Sequence, residues 1–348
     1  MNPIPAPQPP TLPPPPPGKT GWPWNEGHDA AQHISLTAWP KTAWPKISII
    51  TPSYNQAQFL ERTIRSVLMQ DYPNLEYIIM DGGSRDDSVA VIQKYADHIA
   101  YWESQKDRGQ PHALNKSLTH CTGDIIAFIN SDDFYLPGAL RRVAQLFDQH
   151  PDAAWLGGVC RYYEEGVGYV DPGRYVAQMP PLPKDRSQWV DGWPTNQPSS
   201  FWRSKCFQKA GDFREDLDLT FDTEFMVRLL FADLLPMIVD DVFSVYVLHD
   251  SSKTVSQKGN YVAEADRFRP EYFKHLTRQE GQRLYWRLIV RGYQGRIKAN
   301  RRAQAYGFVL RQMLAHPAWF VQGMTGRWRQ YRTLLSRRRA SSQRPAKA

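Results

Sequence analysis

Cysteine is scarce in this chain: Cys121, Cys160 and Cys206 are the whole complement of 348 residues, and no two stand at CxxC spacing. An odd, scattered set argues against a disulfide framework and fits a reducing cytoplasm. Long apolar runs are missing as well. The most apolar stretches, such as Leu229 to Val239, are interrupted by Asp233 and Pro236. None approaches the roughly 20 residues needed to span a bilayer. Met1-Asn2-Pro3-Ile4-Pro5 has neither the basic nor the apolar region of a signal peptide. The expectation is a soluble or peripheral protein in the cytoplasm. There is no internal repeat. No G-x-G-x-x-G follows the first apolar strand, which argues against a dinucleotide dehydrogenase. A nucleotidyltransferase usually opens with a glycine-rich, basic phosphate loop; Thr51-Pro52-Ser53-Tyr54-Asn55 is not one, although that class remains an alternative.

What is present is length, aromatic residues and positive charge. The chain can hold one large α/β domain with appended elements. Aromatic residues make up 13%, with twelve Trp, and the formal net charge is +8. Such a charge favours an anionic partner: a nucleotide, a nucleic acid or an acidic membrane surface. Residues 1–45 read as a proline-rich, disordered leader, because the proline-dense Pro5 to Pro17 is extended and cannot build a core.

Order is expected from Lys46. Ile47, Ile49 and Ile50 mark a short strand, and Phe59, Leu60, Ile64, Val67 and Leu68 share a helical face. Leu75–Met80 reads as a second buried strand, Val89, Ile92 and Tyr95 as a helix, and Ile99–Trp102 as a third strand. A helix over Gln110–Thr119, a strand over Asp124–Ile129 and a helix carrying Leu140, Val143, Leu146 and Phe147 follow. Alternating strands and helices predict an α/β fold with a mostly parallel sheet covered on both faces. Ligands of such sheets sit at the carboxyl ends of the strands. From Gly157 to about Pro183 the pattern weakens. It returns as a helix over Phe221–Phe231, and after Arg267 the chain reads as helical, basic and rich in Trp and Tyr.

Three polar clusters fall at strand ends: Thr51-Pro52-Ser53-Tyr54-Asn55, Asp81-Gly82-Gly83-Ser84 and Asn130-Ser131-Asp132-Asp133. Each alone is an ordinary turn; three on one sheet edge describe a site. The adjacent carboxylates of Asp132 and Asp133 suit a hard cation, Mg²⁺ or Mn²⁺, that also bridges phosphate oxygens. The competing role for Asp132 is to cap the following turn.

These residues resemble the family 2 glycosyltransferases, which have the GT-A fold. The likeness runs from about Lys46 to Thr254 and rests on several motifs in order. They are Ile49–Asn55, Ser66–Gln70, Asp81–Asp86, Asp107–Gln110, Ala113–Lys116, Gly123–Ile126, Asn130–Asp133, Leu136–Leu140, Gln197–Trp202 and Ser252–Thr254. The resemblance implies a donor site for a nucleotide sugar. Thr51, Pro52, Tyr54 and Asp81 would line base and ribose, with Gly109, Ala113 and Asn115 close to the nucleotide. Asp132 would hold the divalent metal (Mn²⁺ or Mg²⁺), with His249 completing its shell or touching diphosphate. Asp133 would support Asp132 or contact the sugar, Gln197 belongs to the substrate-binding set, and Lys253 would neutralise the leaving diphosphate. Asp222 aligns with the catalytic base, while Glu224, two residues on, points elsewhere along a helix. Two departures stand out: Asn130 where the family often has Asp, and Phe221 where many relatives have Glu.

The implied activity is inverting, metal-dependent transfer of a sugar to an acceptor hydroxyl, in surface polysaccharide or glycolipid assembly. The acceptor would be a saccharide or a lipid-linked saccharide. The implied organisation is a leader at 1–45, a glycosyltransferase domain at 46–266 and a basic, aromatic, helical tail at 267–348. Arg296, Arg301, Arg302, Arg327, Arg329 and Arg337-Arg338-Arg339 surround Trp286, Trp319 and Trp328 in that tail. Arg and Trp around apolar helix faces suit an anionic membrane surface, here the inner face. Nucleic acid is the less favoured alternative partner.

Overall fold

The structure is a computed structural model and describes residues 12–25, 44–171, 179–192, 196–257, 260–298, 301–315 and 317. The chain divides into two compact units, one comprising Met1–Pro181 and Pro194–Ala265, the other Leu182–Trp193 and Asp266–Ala348. Nine strands are described: β1 (Ile47–Ser53), β2 (Leu75–Asp81), β3 (Tyr101–Ser104), β4 (Ile125–Phe128), β5 (Phe134–Tyr135), β6 (Trp155–Glu164), β7 (Gly168–Val170), β8 (Ser200–Arg203) and β9 (Pro236–Leu248). The helices up to residue 210 are α1 (Ala57–Leu68), α2 (Ser88–Lys94), α3 (Gln110–Leu118), α4 (Ala139–Gln149), α5 (Ser187–Gly192) and α6 (Lys205–Ala210). They are followed by α7 (Phe221–Phe231), α8 (Lys253–Ser256), α9 (Asn260–Phe268), α10 (Arg278–Lys298) and α11 (Arg302–Ala315).

All nine strands form one mixed sheet in the order β3-β2-β1-β4-β8-β6-β9-β5, with β7 on β6. The β3-β2-β1-β4 half is parallel. Strands buried on both faces need apolar side chains in succession rather than in alternation; β1 is buried at every position. Helix α1 turns Leu60, Ile64 and Val67 onto this half, where they join Ile47, Ile49, Tyr77 and Ile79 in the main core. The result is a helix-flanked, GT-A-like sheet, mostly parallel in the half that carries the strand-end clusters.

The other half departs from simple alternation of strands and helices. β8 runs antiparallel between β4 and β6, and β6 runs parallel to the thirteen-residue β9. The β6–β9 register shifts between Gly157 and Cys160. Gly158 marks the irregularity: a Cβ there would lie 2.4 Å from the Phe243 ring. A bulge with glycines erases the two-residue periodicity, which is why this strand is invisible in the sequence.

The expectation of a disordered leader does not describe residues 12–25. They pack on the first unit through Arg65, a buried side chain of α1 whose guanidinium donates to the carbonyls of Pro23 at 3.0 Å, Pro13 at 2.7 Å and Trp24 at 2.8 Å. The Trp22 indole donates to the Tyr135 carbonyl at 2.7 Å. Extended proline-rich chain leaves its carbonyls available to such a donor; the backbone bonds inside this segment are accepted by Pro16 and Gly21 instead. The rest of the leader, 1–11 and 26–43, lies outside the described residues.

In the second unit α10 opens on a reciprocal capping box. Thr277 Oγ1 accepts from the Glu280 N–H at 3.3 Å, and Glu280 Oε2 accepts from the Thr277 N–H at 2.9 Å. Asp191, at the end of α5, pairs with Arg287 and Arg291 of α10. α10 and α11 share a small apolar cluster of Tyr285 and Ile289 with Trp286 and Val309. Among the described residues no helix is long and apolar enough to cross a membrane. Arg327, Arg329, Arg337-Arg338-Arg339, Trp319 and Trp328 lie outside the described residues.

Candidate active site

The carboxyl ends of β1, β2 and β4 open on a cleft of about 640 Å³ in the first unit. From β1 come Pro52 and Tyr54, the latter 58% exposed. From β2 comes Gly82, where a Cβ would meet Asp107 Oδ2 at 2.8 Å. Asn130, Ser131 and Asp132 come from beyond β4. Gly109 enters α3 with φ +116°, a backbone that side chains rarely adopt, and its N–H donates to Asp107 Oδ1 at 2.9 Å. Ala113, one turn into α3, also lines the cleft, as do Gln197, Lys253 and Asp222.

Five of the residues singled out in the sequence are not in the lining: His249 opens on a neighbouring cavity with Phe59 and Ser251, and the other four stand behind the lining. Thr51 is buried with its hydroxyl 3.0 Å from the Tyr77 hydroxyl. Asp81 is 2% exposed, and its carboxylate is taken up by its own turn and by β3. It accepts from the N–H groups of Gly83 at 3.1 Å and Ser84 at 2.8 Å, and from the hydroxyls of Ser84 at 2.5 Å and Ser104 at 2.6 Å. Asn115 bridges to the Phe213 backbone, donating to its carbonyl and accepting from its N–H, both at 2.9 Å. Asp133 is buried, accepting from the Val247 N–H at 2.9 Å and from the Asn130 amide at 3.3 Å. Burial, then the neighbouring Asp132 charge, hold its carboxyl well above the usual carboxylate range.

Asp132 and His249 converge, with His249 Nε2 2.9 Å from Asp132 Oδ2. The imidazole lies against the Phe59 ring at 4.2 Å between centroids, and its Nδ1 is 2.8 Å from Ser251 Oγ. A serine hydroxyl either donates or accepts. In the 2.9 Å contact Nε2–H donates to the Asp132 carboxylate, with the Ser251 hydroxyl donating to Nδ1. In the other tautomer, with Nδ1–H donating to Ser251, the Nε2 lone pair and the Asp132 oxygen would suit a divalent cation that also takes phosphate oxygens. Among the described residues no group of three or more His, Cys, Asp and Glu forms a closed metal cage.

Asp222 is the second residue of α7 and reaches the cleft, partly buried. Burial pushes its carboxyl up to about 6, against bonds from the Thr223 N–H at 2.6 Å and hydroxyl at 3.4 Å that pull it down; the Glu264 charge adds a smaller upward push. Glu224 points away from the lining: it is 2% exposed and pairs with Arg228 at 2.8 Å, one turn along α7.

Lys106, Asp107, Asp218, Tyr162, Tyr246 and Tyr261 also line the cleft, and none is assigned a role from the sequence. Asp218 holds Lys253 Nζ at 2.6 Å. Tyr162 and Tyr246 are register partners on β6 and β9 with ring centroids 5.6 Å apart. Only strand pairing joins them, and no local signal announces it. Asp107 and Lys106 were findable, since they adjoin the glycine that starts α3.

Comparison with known proteins identifies the family. The model of Glycosyl transferase family 2 matches residues 48–233. An uncharacterized glycosyltransferase of Mycobacterium tuberculosis is 30% identical over 190 residues, 54% of this chain and 70% of that protein. A GalNAc(5)-diNAcBac-PP-undecaprenol beta-1,3-glucosyltransferase of Campylobacter jejuni is 34% identical over 126 residues, 35% of this chain and 40% of its own. Among solved structures, the mannosyltransferase PcManGT of Pyrobaculum calidifontis, in complex with GDP-Man and Mn²⁺, has a TM-score of 0.51 at 16% identity. That match covers 82% of this chain and 93% of PcManGT, a likeness of fold. With a family model running from β1 through the strand-end loops to the end of α7, the chain belongs to glycosyl transferase family 2.

Proposed function

We propose that the cleft binds a nucleoside-diphosphate sugar with a divalent cation, Mn²⁺ or Mg²⁺, and transfers the sugar to an acceptor hydroxyl in one inverting displacement. One observation carries this reading: Asp132 and Asp222, whose carboxyl is raised to about 6, line one cleft, with His249 bonded to Asp132 from beside it. Pro52, Tyr54, Gly109 and Ala113 offer ring and backbone surface to the nucleoside. Thr51, Asp81, Asn115 and Asp133 hold the surrounding loops from behind. Lys106 and Lys253 offset charge on the diphosphate, and Gln197 faces the transferred sugar.

Asp222 takes the proton of the acceptor hydroxyl as that oxygen bonds to the anomeric carbon. The bond from this carbon to the phosphate oxygen breaks on the opposite face, and its electron pair leaves with the nucleoside diphosphate. A divalent cation between Asp132 and His249 would draw off negative charge from that diphosphate.

The acceptor we assign is a saccharide, carried on a lipid. Two observations support this. The Campylobacter relative is named for a polyprenyl-diphosphate substrate, and no acidic residue follows Glu280 in this chain. On α11, Tyr306, Leu310 and Leu314 are exposed beside Arg302 and Arg311. An apolar face edged by arginines suits the anionic inner surface of a membrane.

The deciding experiment is calorimetric titration of a nucleoside-diphosphate panel with and without Mn²⁺, followed by NMR of the product anomer. Binding indifferent to Mn²⁺, or a product with the anomeric configuration of the donor, would reject the reading.

A further inference from the structure

The assignment of Asp222 as base raises the question of what fixes its direction, and the inference below rests on that assignment. Asp222 stands at the N-terminus of a helix, where the first N–H groups lack helical partners. Thr220 is the N-cap residue of α7, and a threonine there ordinarily accepts a bond from an N–H of the first turn. No such bond forms. Instead Thr220 Oγ1 donates to Glu264 Oε1 of α9 at 2.9 Å. The same carboxylate oxygen accepts the N–H groups of Leu219 at 2.7 Å and Thr220 at 2.8 Å, and Oε2 accepts that of Asp218 at 3.0 Å.

One carboxylate therefore grips three consecutive amides and a hydroxyl immediately before the base. Bonds to an ionised acceptor are roughly twice as strong as neutral ones, and a negative charge at a helix N-terminus is favourable. We propose that Glu264 is a positioning residue for sugar transfer, holding the 218–220 turn and with it the direction in which Asp222 enters the cleft. The grip has a second consequence, since the Glu264 charge also favours the protonated form of Asp222. Other charged groups share the surroundings: Lys106, Asp107, Asp132, Asp218 and Lys253 line the cleft, and Glu224 is paired with Arg228 on α7 itself. Of these, Asp218 and Lys253 are tied to each other at 2.6 Å, which leaves Glu264 as the acid that grips the base's own turn.

The test uses the full chain with whichever of UDP-Glc, UDP-GlcNAc and GDP-Man supports turnover, reading nucleoside diphosphate release against pH. Glu264→Ala should lower kcat by about tenfold or more with donor KM within about twofold, because misdirecting the base costs the transition state rather than donor binding. Glu264→Gln keeps an oxygen for Leu219 and Thr220 but loses the charge. It should lower kcat less and move the acid limb of the profile to lower pH. If Glu264→Ala does not fold, Glu264→Gln carries the test alone. A folded variant with wild-type kcat and an unmoved acid limb, even if less heat-stable, would overturn the proposal; so would a change confined to KM. Asp222→Asn is measured alongside. Wild-type turnover in Asp222→Asn would remove the base assignment and the Glu264 proposal with it. An inactive Asp222→Asn beside a wild-type-like Glu264→Gln would leave the base standing and discard Glu264 alone.

Discussion

Asp132 and His249 lie 117 positions apart in the chain, yet Nε2 of the histidine sits 2.9 Å from Oδ2 of the aspartate. If the pair holds the cation, Asp132→Ala should abolish transfer and remove the Mn²⁺-assisted part of nucleoside-diphosphate binding while the protein still folds. Ser251, bonded to the far nitrogen of His249, is an outer partner. Ser251→Ala should raise the Mn²⁺ concentration for half-maximal turnover by about tenfold, the lower end for losing such a partner. A metal titration that stays superimposable on wild type for both variants would dismiss the pair as a metal site.

Asp222→Asn keeps size and polarity but cannot take a proton. Turnover should fall by ~10²-fold or more, the range for losing a positioned base, with nucleoside-diphosphate affinity near normal. Glu224→Gln should act elsewhere. Its buried bond to Arg228 makes the expected cost about 1–3 kcal/mol of stability, read by urea unfolding, with kcat nearly unchanged. The opposite ranking in kcat would move the base by two residues.

Acid should silence the enzyme through the same group. A base works as carboxylate, so turnover should fall about tenfold per pH unit below about 6. Stability runs the other way. A carboxyl whose folded pKa is raised binds its proton more tightly in the folded state, so its contribution is full below the unfolded pKa. That contribution is lost as pH rises toward about 6. Asp222→Asn should therefore be more stable than wild type at pH 7 by about 1–3 kcal/mol, and no more stable below about pH 4. Equal unfolding midpoints at both pH values would show that Asp222 is not desolvated.

Arg65 ties the leader to α1 by its bonds to Pro13, Pro23 and Trp24. Arg65→Ala should release residues 12–25 to proteases and lower stability by about 1–3 kcal/mol. Limited proteolysis with mass mapping reads this directly; an unchanged cleavage pattern would mean that the leader is held by other contacts.

The exposed face of α11 gives the last expectation. Leu310→Glu with Leu314→Glu should reduce flotation with phosphatidylglycerol vesicles at least as much as salt does, and leave turnover on a soluble acceptor intact. Flotation equal to wild type, or a retained shift of nucleic acid in gels, would redirect the tail to another partner.

The parallel half of the sheet was legible because each of its elements is defined locally. Ile47, Ile49 and Ile50, the α1 face of Leu60, Ile64 and Val67, and the β2 run carry their periodicity in adjacent residues. The strand-end clusters could be placed on one edge by topology alone. What the sequence could not decide is which members of a cluster face the ligand. Pro52 and Tyr54 line the cleft while Thr51 turns to Tyr77, and Asp132 lines it while Asp133 is buried one residue away. Side chains of neighbouring residues diverge, and burial is set by what packs behind them. Tyr162 with Tyr246, Arg65 with the leader and Glu264 with the α7 entry depend on contacts across 84, 41 to 52 and 44 to 46 positions. Such pairings leave no periodic trace in the chain, because they arise only when separate elements are brought together by the burial of a common core.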